Sequence, residues 1–206
     1  PGLAAPPAAS LPGAQAEARP AATGLLLGGG RVLTAASALD ACAAPRIGGV
    51  AARIERRDAA GSLALLSAEG LAGAPPPLRT EPVGEGEALL VLVAQAKGRP
   101  SVAPASAAVE GVYAPLQPGA GGAPVLDRAG RLVGLVARFP ATPRLIAGVM
   151  PPTRYGIVPG KAVAAFLAES GVPAGAGTGS AKGAATTLGG AAAPVLGAVV
   201  AITCTR

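Results

Sequence analysis

The chain has 206 residues, half of them apolar, with 17 Lys and Arg against 11 Asp and Glu for a net charge of +6, and it contains no histidine. That absence excludes Ser-His-Asp and Cys-His catalysis and any His-ligated metal site, while the length allows one domain with a sizeable core or two small subdomains sharing one. No apolar run reaches the roughly 18 residues that a membrane-spanning helix needs, and the high Gly, Pro and Ala content with only four aromatics (Tyr113, Phe139, Tyr155, Phe166) reads as the bias of a GC-rich genome.

In chain order, residues 1–20 are Pro- and Ala-rich with no apolar period and are expected to form a flexible arm. The chain opens at Pro1 without a basic and apolar leader, so a signal peptide is expected to have been removed or left out. From Thr23 onward, short apolar runs at 25–27, 31–33, 47–54, 62–66, 88–94, 101–103, 109–113, 125–126 and 132–138 alternate with Gly/Pro turns. That rhythm predicts an all-β sandwich or barrel. The stretch APPPLRTEP at 74–82 reads as a linker between two halves, hence two barrels. GKAVAAFLAES at 160–170 predicts a helix with Val163, Phe166 and Leu167 on one face and Gly171 at its stop. Residues 173–190 read as a Gly/Ala linker, and PVLGAVVAITC at 194–204 as a last β-branched strand that returns to the body rather than standing as an open edge. The expected division is an arm at 1–22, a first barrel at 23–76, a second at 77–158, a C-terminal helix at 159–171, and a linker with an extra terminal strand at 172–206.

The two cysteines, Cys42 and Cys204, are too far apart for any short-spaced zinc or redox motif. They are either one long-range disulfide or two free thiols. An even pair without metal partners favours the bridge, and a bridge favours an exported protein.

Three segments, in order, resemble the signature regions of bacterial trypsin-like serine proteases. GLLLGGGRVLTAASA at 24–38 is similar to the approach to the family's LTAAH motif, with Ser37 at the histidine position. DAAGSLALL at 58–66 is similar to the DLALL strand, with Ser62 at the aspartate position. YAPLQPGAGGAPVLDRAGRLVGLV at 113–136 is similar to the PGNSGGPVLD…GRVVGV segment, with Gly121 at the position of the nucleophilic serine. The resemblance implies a chymotrypsin-like double six-stranded β-barrel with a C-terminal helix and an extra terminal strand. It also implies a Cys42–Cys204 disulfide, as in exported relatives from Gram-negative bacteria, and hence a periplasmic or secreted location.

With all three catalytic positions replaced, the expected protein is a pseudoprotease. A serine is weakly nucleophilic until a base takes its proton, and this chain has no imidazole to do so. Asp58, as a displaced acid, would have nothing to orient. A Ser-Lys dyad would need Lys97, Lys161 or Lys182 desolvated beside a serine, and no motif supports one. The loop of Gly119, Ala120 and Gly121 stands where the family's oxyanion loop sits and is expected to preserve a tight turn, with a residual anion-binding nest as the lesser reading.

No cofactor or metal is expected. The arginines at 46, 53, 56 and 57 invite a nucleic-acid reading, but without interleaved aromatics or a recognised motif they read as a solvated strand face. Such a surface also suits an acidic partner or, through a partner, an anionic membrane. The leading expectation is a protein-binding or scaffolding module, an accessory subunit of a cell-envelope complex. The alternatives are an active peptidase using one of Ser37, Ser62, Ser101 or Ser106 with another base, and a regulator that holds peptides without cutting them.

Overall fold

A computed structural model describes residues 20–139, 153–173 and 187–205. The expected arm, apart from its last residues, and the middle of the Gly/Ala linker, with Lys182, lie outside the described residues. The described chain is two antiparallel β-structures side by side, with a helix on the second.

The first is a seven-stranded sheet in the order β4-β3-β13-β1-β2-β6-β5. Its strands are β1 (Ala22–Gly28), β2 (Arg31–Ala35), β3 (Ala44–Ile47), β4 (Val50–Ala51), β5 (Arg53–Arg57), β6 (Leu63–Ser67) and β13 (Val199–Thr205). The apolar run at 47–54 is broken by Gly48 and Gly49, both at positive φ, into the β3–β4 turn. The two edge strands, β4 and β5, are joined by the single residue Ala52, so the sheet curls back upon itself.

The second structure is a closed barrel, β10-β11-β12-β9-β8-β7. It is built from β7 (Ala88–Val93), β8 (Ser101–Ala108), β9 (Gly111–Ala114), β10 (Pro124–Asp127), β11 (Leu132–Val136) and β12 (Thr153–Pro159). Side chains alternate between strand faces, and β7 shows why its sequence is apolar without interruption. Leu89, Val91 and Val93 fill the barrel interior, whereas Leu90, Leu92 and Ala94 join the core shared with the first sheet and the helices. The strand β12 is absent from the runs read in sequence. It forms between β9 and β11, and its register to both closes the barrel.

The helix α1 (Gly160–Glu169) buries Val163, Phe166 and Leu167. It ends as expected at Gly171, whose φ of 63° takes the left-handed C′ position, with the Val172 amide returning to the Leu167 carbonyl and that of Gly171 to the Ala168 carbonyl. The expected last strand starts later than sequence suggests. A short helix α2 (Leu188–Ala192), capped by the Thr187 hydroxyl, and a 3-10 turn at Leu196–Ala198 precede it.

β13 does not lie at an edge. It pairs with β1 through Ala22↔Ile202 to Leu25↔Val199 and with β3 through Ile202↔Ile47 to Thr205↔Ala44. The Cys42–Cys204 disulfide fastens it, closing a loop of sequence separation 162. Among the described residues no helix is long and apolar enough to cross a membrane.

Candidate functional site

The three segments that resemble protease signatures meet where the two β-structures join. Ser37 lies in a 3-10 turn, Ala36–Leu39, immediately after β2. Ser62 precedes β6, and its carbonyl accepts from the Ala36 amide at 3.0 Å. Gly121 faces the same turn: a Cβ built on it would lie 3.1 Å from the Ala38 Cβ. The positions assigned by resemblance are therefore neighbours, although they come from three distant stretches of chain.

The Ser37 hydroxyl and the Asp58 carboxylate are already engaged. The Ser37 hydroxyl donates to the Ala137 carbonyl at 2.8 Å. Asp58 Oδ1 accepts from the amides of Ser62 (2.6 Å) and Leu63 (2.8 Å) and so closes the turn that leads into β6. Arg57 Nη1 reaches the Ala36 carbonyl at 3.3 Å and Asp40 at 3.6 Å. Lys97 and Lys161 are exposed, so neither is desolvated beside a serine. Ser101 and Ser106 lie on β8, and the Ser101 hydroxyl donates to the Val93 carbonyl at 3.3 Å.

The loop of Gly119, Ala120 and Gly121 is buried. The Ala120 amide donates to Gln117, that of Ala123 to Ala120 and that of Gly122 to Val136, which makes the segment a tight turn. Gly119 and Gly122 have φ of 94° and 80°. A side chain on Gly122 would run into the Thr34 hydroxyl and the Thr23 carbonyl and stand 2.9 Å from the Ala35 amide, so this glycine is required by close packing as well as by φ.

Thr23, fully buried, ties the loop to both halves of the molecule. Its hydroxyl donates to the Gly119 carbonyl (2.7 Å) and accepts from the Ala94 amide (3.1 Å), its own amide donates to Gly121 (2.9 Å), and its carbonyl accepts from the Thr34 hydroxyl (2.7 Å). Sequence reading passes over Thr23 and Ala137, because a buried threonine and a backbone carbonyl carry no local signal. Beside the site Phe139 stacks on Tyr155, ring centroids 5.7 Å apart.

Two further features bear on what the surface recognises. Arg56 and Arg57 of β5 pair with Glu169 on α1 and with Asp40, and Arg31 of β2 pairs with Glu55 on β5, so these three arginines meet carboxylates. Among the described residues no group of three or more His, Cys, Asp or Glu is placed to hold a metal ion.

No protein-family model matches the chain, and no curated protein matches it. Solved structures do. The active form of the Rv3671c protease from M. tuberculosis is 22% identical, with 77% of each chain covered and a TM-score of 0.56. An inactive form of the Rv3671c protease is 21% identical, covering 72% of this chain and 82% of that one, with a TM-score of 0.53. The MamO protease domain from Magnetospirillum magneticum is 17% identical over 73% of this chain and 89% of that one, with a TM-score of 0.55. Together with the three signature segments and the paired β-structures, these likenesses give the chain the chymotrypsin-like double-barrel fold of the trypsin-like serine proteases.

Proposed function

We propose that this chain is a pseudoprotease: a trypsin-like fold without peptidase activity that serves as a protein-binding or scaffolding module. The observation that carries this reading is the state of the three triad positions. Ser37 donates its hydroxyl hydrogen bond to a backbone carbonyl, Ser62 offers no carboxylate, Gly121 offers no nucleophile, and the chain has no imidazole to activate one. Asp58, the nearest carboxylate in sequence to the missing acid, is held by two backbone amides. The site keeps the packing of a protease and none of its proton-transfer groups. The Cys42–Cys204 disulfide supports an exported, periplasmic or secreted setting, in which an accessory role in a cell-envelope complex is the natural use of such a module.

Incubation of the whole chain with a fluorophosphonate probe and fluorogenic casein tests the loss of activity. No label and no cleavage are expected; a label on Ser37, Ser62, Ser101 or Ser106 overturns it. Purification from the native source in mild detergent is expected to bring a stoichiometric protein partner, and a lone monomer would sink the scaffolding part.

A further inference from the structure

On the second barrel, away from the triad positions, a groove of about 660 Å³ runs between the linker at 82–85, the β8–β9 hairpin and β12. Its walls are apolar, with Val83, Ile157 and Pro159 among them, and Val109 at its rim is the most exposed large apolar side chain among the described residues, at 63%. Two carboxylates, Glu85 and Glu110, also line it.

These two acids differ from most of the others. Asp40, Glu55, Glu87, Asp127 and Glu169 each sit against an arginine, and Asp58 is bound by backbone amides. Glu85 and Glu110 have no ion-pair partner among the described residues, in a chain whose net charge is +6. Arg154, the cation at this rim, is engaged with the Val109 carbonyl at 3.3 Å. Glu110 also occupies the second position of the two-residue β8–β9 turn at φ 55°, the one positive φ outside glycine among the described residues. Glycine or asparagine would hold that conformation more easily, so turn formation does not explain a glutamate there.

We propose that this groove binds an extended, cationic segment of a partner protein. An apolar side chain of that segment seats among Val83, Val109 and Ile157, and flanking Lys or Arg side chains meet Glu85 and Glu110. The volume suits a few residues of extended chain, and the charge complementarity selects a basic segment over an acidic one. The groove does not rest on the loss of peptidase activity, so a chain that proved to be a peptidase would leave it standing.

The test is a titration of the whole chain, followed by methyl and amide NMR at about 150 mM salt, with the peptide acetyl-Lys-Val-Leu-Arg-Val-Lys-amide and with its counterpart carrying Glu at every cationic position. Saturable shifts centred on Val83, Val109 and Ile157 are expected for the cationic peptide alone. The double variant E85Q/E110N is expected to bind about fivefold more weakly while melting no lower than the parent, because asparagine accepts the left-handed turn. The proposal fails if the groove signals stay still, if both peptides bind alike, if the double variant binds as tightly, or if it melts markedly lower. Shifts centred on β5, or self-association of the chain without peptide, would place the interface elsewhere and overturn it equally.

Discussion

The two β-structures, a curled seven-stranded sheet and a closed six-stranded barrel, are assembled from the chain by different routes. The second takes its six strands from residues 88–159 and closes with no crosslink. The first takes six strands from residues 22–67 and is completed only by β13, from the far end of the chain, which slots between β1 and β3 and is held by the Cys42–Cys204 bridge. Without β13, β1 and β3 would each present an unpaired edge to solvent. One half is therefore self-contained in sequence, and the other depends on a contact between distant ends of the chain.

The sharpest way to break this contrast is Cys204→Ser. Opening a loop this long is expected to cost roughly 2–5 kcal/mol, and the loss should fall on the first sheet. Hydrogen exchange reads it: amides of β1, β3 and β13 should lose protection while those of β7 to β12 keep theirs. Equal loss in both halves would mean that they unfold as a single cooperative unit.

Thr23→Val tests the joint between the halves. The substitution keeps shape but leaves the Gly119 carbonyl and the Ala94 amide, both paired with the hydroxyl, without a side-chain partner. A loss of about 2–3 kcal/mol is expected in urea denaturation. A loss below about 0.5 kcal/mol would show that water replaces the hydroxyl and that the joint is not dry.

The smallest expected effect is confined to the second barrel. Arg79, in the linker, bonds Glu87 and the buried Asp127, which also takes Arg131 and the amides of Ala129 and Arg131. This cluster docks the linker on β11, where the Arg79 amide donates to the Leu132 carbonyl and the Leu132 amide to the Pro77 carbonyl. The hydrogen bond from Arg79 holds the Glu87 carboxyl below the usual carboxylate range, against the opposing effect of burial. A depressed folded-state pKa gives stability that is present above the ordinary glutamate range and is lost as pH falls through the folded value. Glu87 is partly exposed, so solvent screening keeps the effect small. Urea midpoints measured from pH 7 down to 3 should fall less steeply in Glu87→Gln than in the parent, and identical pH profiles would remove Glu87 from the cluster's stabilising role.

Much of the fold is legible in sequence for reasons that particular residues make plain. Leu25, Val32, Leu65 and Val91 sit in β-branched or leucine-rich runs bounded by glycine turns, and these short runs form strands. The helix at 160–169 carries both its apolar face and its Gly171 stop locally. Thr153–Pro159 is different: Gly156 and the flanking Thr and Pro weaken any local signal, and the strand exists because β9 and β11 offer it two edges. At the candidate site, the order of the three segments is readable from the letters. The direction of the Ser37 hydroxyl and the capture of Asp58 by its own turn are not.

That no imidazole can act follows from composition alone, and that the body is built of short strands follows from side-chain period and turn residues, which are local properties. Which strands are neighbours is settled by the folded molecule. Folding put β13 inside the first sheet, joined the positions of Ser37, Ser62 and Gly121, and turned the Ser37 hydroxyl onto the Ala137 carbonyl. The physical reason is that a strand's pattern states which face it buries but not whose edge it pairs with, and pairing across the length of the chain is settled only when the whole core closes.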